Sequence, residues 1–545
     1  MRLKGNNVIS RIWAHDHTVW KSDPREITDR LGWLNIMDTM REEVETVGEF
    51  VDSVRRDGYR QALLLGMGGS SLAPEVFGKA FAVRDGYLKL SVLDSTDPET
   101  IYSRLKGMDL NETLFIVSTK SGTTTETLSL FKYCYNNVLK SLGREFVGKH
   151  FIAITDPGTP LVDLAERYHF RKIFLNAYDI GGRYSVLSYF GLVPAALMGI
   201  DIKRLLDKTS KTAANCMTVI DSAGENNYGA DLGAALGELA MAGRDKVTFV
   251  VSQRIESFQL WVEQLLAEST GKEGKGILPV AGEEPGVPED YGCDRVFISL
   301  ELAGEMPDNI ALKTLEQTGH PVIRITLDDL YDMGGQFFLW EMATAVAGHI
   351  MRINPFDQPD VESAKIRTRE VMENFRRDGK LPREMPDAID GNLAFYGTLT
   401  SDDMKESMEA FLSKHEDGAY LALHVYLKQT VETDRIFGDI RSYIRKKFRM
   451  ATTLGYGPSF LHSTGQLHKG DAGKGLFIQI TGDDSMDLPI PDTAGEEKSS
   501  ISFGTLKAAQ AMGDRRALDD LGRRVIRIHI GGDVIAGLKH LRDIL

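Results

Sequence analysis

The sequence predicts an α/β protein, with two doubly wound parallel-sheet domains, an N-terminal helical segment and a C-terminal α/β extension. Two observations predict it. Four short runs, Gln61–Leu65, Lys89–Leu93, Thr113–Ser118 and Phe151–Thr155, are apolar on both faces, as expected of parallel strands covered by helices. They recur about every 25 to 40 residues, which leaves room for a helix between neighbours.

Each element follows in order. The stretch Ile27–Val54 carries apolar residues at helical spacing, so residues 1–59 read as helices. Residues 60–205 then form the first α/β domain around the four runs. The second, 206–375, takes its strands from Lys246–Ser252, Arg295–Leu300 and Pro321–Leu327, and its helices include Ser257–Glu268 and Phe337–Arg352. Charged, Pro-containing sequence at Arg376–Asp390 marks a boundary, and 376–545 form a third part with a surface loop at Asp483–Ser500. A weak repeat relates TLEQTGHPVIRITL at Thr314–Leu327 to ALDDLGRRVIRIHI at Ala517–Ile530, and VFISL at 296–300 to LFIQI at 476–480. A helix-ending Gly before a β-branched run is common enough to produce such a match alone. If the repeat is a true duplication, the C-terminal part is a partial copy of the second domain.

Composition narrows the function. At roughly 150 residues per domain, a chain of 545 residues holds about three or four folded units. Its 42% apolar and 26% charged content excludes wholesale disorder. A net charge of −14, from 78 acids against 64 bases, argues against nucleic acid as a partner. Cys134, Cys216 and Cys293 are widely spaced and match no metal or redox pattern, which fits a reducing cytoplasm. The N-terminal stretch lacks the apolar core of a signal peptide, and no window approaches a membrane span. A cytoplasmic protein without a membrane partner is expected.

Two loops suit a phosphate. LLLGMGGSSLAPEVF runs from a strand through Gly66, Gly68, Gly69, Ser70 and Ser71 into a helix, and such a turn lets backbone amides approach an anion. It is neither a Walker A nor a good dinucleotide fingerprint, and alone it reads equally as a tight turn. TLFIVSTKSGTTTET adds Thr119, Lys120, Ser121, Thr123 and Thr124 after another strand, with Glu126 beginning a helix. Hydroxyls plus one lysine suit a phosphate monoester, although Ser and Thr also favour helix starts. Two such loops at the carboxyl ends of one sheet's strands favour a phosphorylated ligand.

Three further segments carry charges or amides that could act together: Arg183 in DIGGRYSVLS, Gln264 and Glu268 in QLLAESTGKEGKG, and Gln358 and Lys365 in INPFDQPDVESAK. Taken singly, each reads as a cap or an exposed charge.

The GxGGSxL loop, STKSGTTTET, DIGGRYS, ESTGK and NPFDQPDVExxK stand in the order found in glucose-6-phosphate isomerases, a family of two sugar-isomerase (SIS) domains, and residues 60–370 resemble it. With GYGPSFLHSTGQLHKG included, the chain looks most like the isomerase half of bacterial transaldolase/glucose-6-phosphate isomerase fusions, without a preceding transaldolase part. The resemblance implies that Gly69, Ser70, Thr119, Lys120, Ser121 and Thr124 hold the sugar phosphate. It makes Glu268 the proton-shuttling base and Arg183 the group that steadies the enediol, with Gln264, Gln358 and Lys365 completing the site.

Three departures stand out. Asp360 replaces the usual Gly or Ala, the chain continues far beyond Lys365, and Glu289–Arg295 lacks the family's ring-opening histidine. PSFLHSTGQLHKG resembles the stretch that carries that histidine in smaller members, so His462 is expected to have taken over, with His468 the second candidate.

The expected reaction is reversible isomerisation of glucose 6-phosphate and fructose 6-phosphate through a cis-enediol, in glycolysis and gluconeogenesis. It needs no cofactor, and no metal-ligand cluster is visible. The alternatives are a dual glucose/mannose phosphate isomerase and a non-catalytic sugar-phosphate-binding SIS regulator. The expected partner is a small sugar phosphate, and the assembly is a homodimer or a monomer.

Overall fold

A computed structural model describes residues 7–218, 226–305, 309–413 and 415–545. The first six residues of the N-terminal helical segment therefore lie outside the described residues.

The first sheet contains β1 (Gln61–Leu65), β2 (Lys89–Leu93), β3 (Thr113–Ser118), β4 (Phe151–Thr155) and β5 (Lys172–Leu175), all parallel, in the order β2-β1-β3-β4-β5. Side-chain alternation splits these strands between two cores. Ala62, Leu64, Ile116, Ile152 and Ile154 belong to the core that the N-terminal helices and residues of the second sheet also fill. Leu63, Leu65, Phe115, Val117, Phe151 and Ala153 face the helix Thr125–Leu142. The fifth strand, KIFL, was not read from sequence. It is a four-residue strand at the sheet edge with Leu175 exposed, so it lacks the two-sided apolar signal of the central strands β1, β3 and β4.

The second sheet contains β6 (Lys246–Val251), β7 (Leu278–Val280), β8 (Arg295–Leu302) and β9 (Val322–Leu327) in the order β7-β6-β8-β9. The third is mixed: β10 (Ala388–Asp390), β11 (Leu393–Tyr396), β12 (Tyr420–Tyr426), β13 (Ala451–Tyr456), β14 (Gly475–Gly482) and β17 (Arg524–Ile530), ordered β10-β11-β17-β14-β12-β13. Its four parallel strands, counted along the chain, have the spatial order second-first-third-fourth, as do those of the second sheet. The similar stretches noted above fall on the third and fourth strand of each sheet.

The helix Asp332–Met351 is buried along nearly its whole circumference and joins the units. Trp33 of the N-terminal segment packs on its Phe338 at 5.5 Å, and the Trp20 indole donates to the Ala345 carbonyl at 2.8 Å. Asp483–Ser500 is not simply a surface loop. It carries β15 (Pro489–Ile490), which pairs with β16 (Ile501–Ser502). Leu488, Ile490, Ala494 and Phe503 fill the core that Phe131 and Val138 of the first unit also occupy. Apolar spacing in DLPIPDTAGEEKSS is too irregular to announce that burial. No described helix is long and apolar enough to cross a membrane.

Candidate active site

Strand order reverses between β1 and β3, the switch point at which a doubly wound fold is expected to bind its ligand in a crevice, and the loops that follow these two strands meet there. After β1 the chain turns through Gly68–Ser70. Gly68 has φ +52°, and a Cβ there would meet the His462 carbonyl oxygen at 2.7 Å and the Gln264 amide at 2.8 Å. A Cβ on Gly69 would lie 2.2 Å from the Gly182 carbonyl oxygen. Glycine is required because three segments of chain meet at this turn. Ser70 is buried, and its carbonyl accepts from the Ser118 hydroxyl at 3.0 Å.

After β3, Thr119–Thr124 lead into the helix Thr125–Leu142, whose first amides face the same crevice end of the sheet. The Thr119 and Thr124 hydroxyls lie 2.8 Å apart, and Thr123 donates its hydroxyl to Ser121 at 3.0 Å. Lys120 is already paired. Its ammonium sits on Asp156 and donates to the Tyr178 carbonyl at 3.4 Å, so its charge is partly matched within the protein.

The other predicted groups converge from far apart. Arg183 lies in the short turn Gly182–Tyr184, and its side chain is 2% exposed. Its Nε donates to the Ser269 hydroxyl at 2.7 Å and its Nη1 to Gln358 Oε1 at 2.8 Å. Its Nη2 donates to the carbonyls of Pro355 and Asp357 at 2.9 and 2.8 Å. The planar fork is thereby fixed, and Nη1 stands 3.3 Å from Glu268 Oε1. Glu268 is on the helix Phe258–Thr270, one turn beyond Gln264. The Gln264 amide donates to Glu268 Oε2 at 3.0 Å and to the His462 carbonyl at 2.8 Å. Lys272 of the same ESTGK motif is buried on Asp357 at 2.6 Å, and burial, aided by Arg183, lowers its ammonium to about 8.

His462 closes the turn Ser459–His462 that follows β13. Its Nε2 lies 3.2 Å from Glu126 Oε1. Burial alone would raise the Glu126 carboxyl, but the charge and hydrogen bond of His462, the residue's own backbone amide and Lys365 outweigh it and hold the group below its ordinary value. Gln510 adds a donor to the same oxygen at 2.6 Å. Lys365 is half-exposed, with its ammonium on Glu362 at 2.6 Å. His468 occupies a different place. It is fully buried with Nδ1 3.0 Å from His424 Nε2, and burial pushes its imidazole well down.

Asp360, the departure from the family pattern, has a partner in the third unit. The Gln466 amide donates to its carboxylate at 2.5 Å, and Gln466 Oε1 accepts from the Asp360 backbone at 2.9 Å. Sequence reasoning gave no role to Glu126, Ser269, Asp357, Gln466 or Gln510. Glu126 stood inside STKSGTTTET and could have been found there. Gln510 sits in an unremarkable helix 384 residues from its carboxylate.

The family model for phosphoglucose isomerase matches residues 14–277. Glucose-6-phosphate isomerase of Rubrobacter xylanophilus is 29% identical over 62% of this chain and 88% of its own length. That of Symbiobacterium thermophilum is 30% identical over 61% of this chain and 85% of its own. In fold, the chain resembles the crystal structure of a glucose-6-phosphate isomerase from Chlamydia trachomatis, with a TM-score of 0.56 and 17% identity over 68% of this chain and 84% of that one.

Proposed function

Because the chain belongs to the glucose-6-phosphate isomerase family and interconverts glucose 6-phosphate and fructose 6-phosphate, we propose that Glu268 is the base that moves the proton between C1 and C2. The carboxylate takes the proton from C2 of the open aldose, leaving a cis-enediol, and returns it to C1 on the same face. The sugar phosphate rests on Gly69, Ser70, Thr119, Ser121 and Thr124, with Lys120 at the edge of that loop. Arg183, fixed by four acceptors, offsets negative charge on O1 or O2 without having to reorganise. Its bond to Gln358 Oε1 leaves the Gln358 amide NH2 as the group to donate to a substrate hydroxyl. His462, supported by Glu126 and with Lys365 nearby, moves the proton between ring oxygen and anomeric hydroxyl as the ring opens.

One observation carries this reading. A single glutamine, Gln264, bridges the Glu268 carboxylate to the backbone of His462, so the base and the ring-opening group share one frame. That frame lies within one chain, and we take a monomer to hold a complete site. The shared strand order of the second and third sheets supports descent of the third unit as a partial copy of the second, which would have brought His462 with it. The reaction belongs to glycolysis and gluconeogenesis, in the cytoplasm.

The test is turnover of fructose 6-phosphate, read by coupled glucose-6-phosphate oxidation, for wild type and Glu268→Gln. A general base contributes about 10²- to 10⁴-fold, and a loss of that size is expected in kcat. Equal rates would remove Glu268 from the mechanism.

A further inference from the structure

We propose that Gln510 is a positioning residue for ring opening, acting through Glu126 on His462. The proposal rests on the reading of His462 given above and extends it to a residue outside every motif of the sequence.

The geometry is a buried relay across two units. Thr96, in the first unit, donates its hydroxyl to Gln510 Oε1 at 2.9 Å, and Gln510 Nε2 donates to Glu126 Oε1 at 2.6 Å. Thr96, Gln510 and Glu126 are 0%, 3% and 7% exposed. The amide has one workable orientation, because an ionised carboxylate only accepts and reversing the amide would set oxygen against oxygen. His462 Nε2 reaches the same carboxylate oxygen at 3.2 Å. Gln510 therefore fixes where the Glu126 oxygen lies, and as a donor to the charged form it favours the ionised carboxylate.

The helix that carries Gln510, Phe503–Asp520, also braces the chain on which His462 sits. One turn beyond Gln510, Asp514 accepts from Lys469 at 2.7 Å and pairs with His424 Nδ1 at 3.0 Å. His424 in turn meets His468 and packs 4.2 Å from the ring of Phe460, two residues before His462. One helix thus holds the carboxylate partner of His462 from one side and the segment around it from the other. The charged and titratable groups that act on Glu126 are His462 from its turn, Lys365 from the helix Val361–Asp378 and the buried Tyr426 hydroxyl from β12. None of them replaces the Gln510 donor, because each approaches from a different element.

The experiment compares wild type, Gln510→Leu, Thr96→Val and His462→Ala on cyclic fructose 6-phosphate and on erythrose 4-phosphate, an aldose with no free hydroxyl placed to close a furanose ring. For Gln510→Leu, loss of a charge-assisted hydrogen bond should lower kcat on the cyclic sugar by about 10-fold or more. The acid limb of its pH profile should move to higher pH, because Glu126 then takes up a proton more readily. Turnover of erythrose 4-phosphate should stay near wild type in both Gln510→Leu and Thr96→Val. Thr96→Val should show the same pattern more weakly, since the amide remains but is no longer oriented. Equal losses on both substrates with no movement of the acid limb would mean a merely structural role and would overturn the proposal, as would no change on either. If His462→Ala lowers cyclic turnover and Gln510→Leu does not, the proposal alone fails. If His462→Ala itself leaves cyclic turnover unchanged, the reading of His462 fails and the proposal falls with it.

Discussion

Glu341 is a carboxyl placed where a charge cannot be tolerated. It lies on the 332–351 helix, 0% exposed, and neither oxygen meets a hydrogen-bond partner among the described residues. Burial raises its pKa well above the ordinary value. The sign of its effect on stability follows from linkage. Unfolded, the carboxyl loses its proton near pH 4.3, whereas folded it keeps it far longer, so the native state binds more protons and stability falls as pH rises. Glu341→Gln removes that slope. Above the pH at which the unfolded carboxyl ionises, urea unfolding of the variant should gain on wild type by up to about 1.4 kcal/mol per pH unit, for as long as the folded carboxyl keeps its proton. Parallel curves for the two proteins would mean that the carboxyl ionises in place.

Among the elements of the site, the turn Gly68–Ser70 leaves no room for a side chain at Gly69. The atoms that a Cβ on Gly69 would strike are the Gly182 carbonyl and the Arg183 nitrogen, all backbone, so none can swing aside. Gly69→Ala should displace the Gly182–Tyr184 turn and with it the guanidinium. A misplacement of about 1 Å can cost on the order of 100-fold, and a fall of that size in kcat/KM is expected with the fold retained by circular dichroism. The elements also show why some of the molecule was legible in its sequence and some was not. β1, β3 and β4 could be read residue by residue because burial on both faces leaves a nearly unbroken apolar run. β7 is three residues with a proline at its centre, and β12 carries His424 in the middle of an apolar strand, so neither announces itself. In the site, Arg183, Glu268 and Gln358 belong to recognisable local patterns. Gln510 does not, because what gives it meaning is a carboxylate 384 residues away, and Gln466, although inside PSFLHSTGQLHKG, has a partner 106 residues away that the motif does not announce. The reciprocal bonds between Gln466 and Asp360 also give a physical reason for the aspartate that breaks the family pattern.

For the molecule as a whole, the convergence of three units on one crevice has a kinetic signature. A site assembled within one chain has no association step, so specific activity should be independent of enzyme concentration from micromolar to low nanomolar. Sedimentation at the same concentrations gives the state of the protein. Activity that falls on dilution in step with a loss of mass would show that a second chain completes the site.

The hairpin of β15 and β16 has a consequence for how the protein is made. Its apolar residues fill a core face of the first unit, yet they leave the ribosome roughly 315 to 330 residues after β5, the last strand of that unit's sheet. At about 5 to 20 residues per second, that face stays uncovered for on the order of half a minute on every nascent chain. Translation therefore passes through a stage in which the first sheet is complete and still adhesive. Ribosome-bound chains stopped before Leu488 should be the ones that chaperones hold.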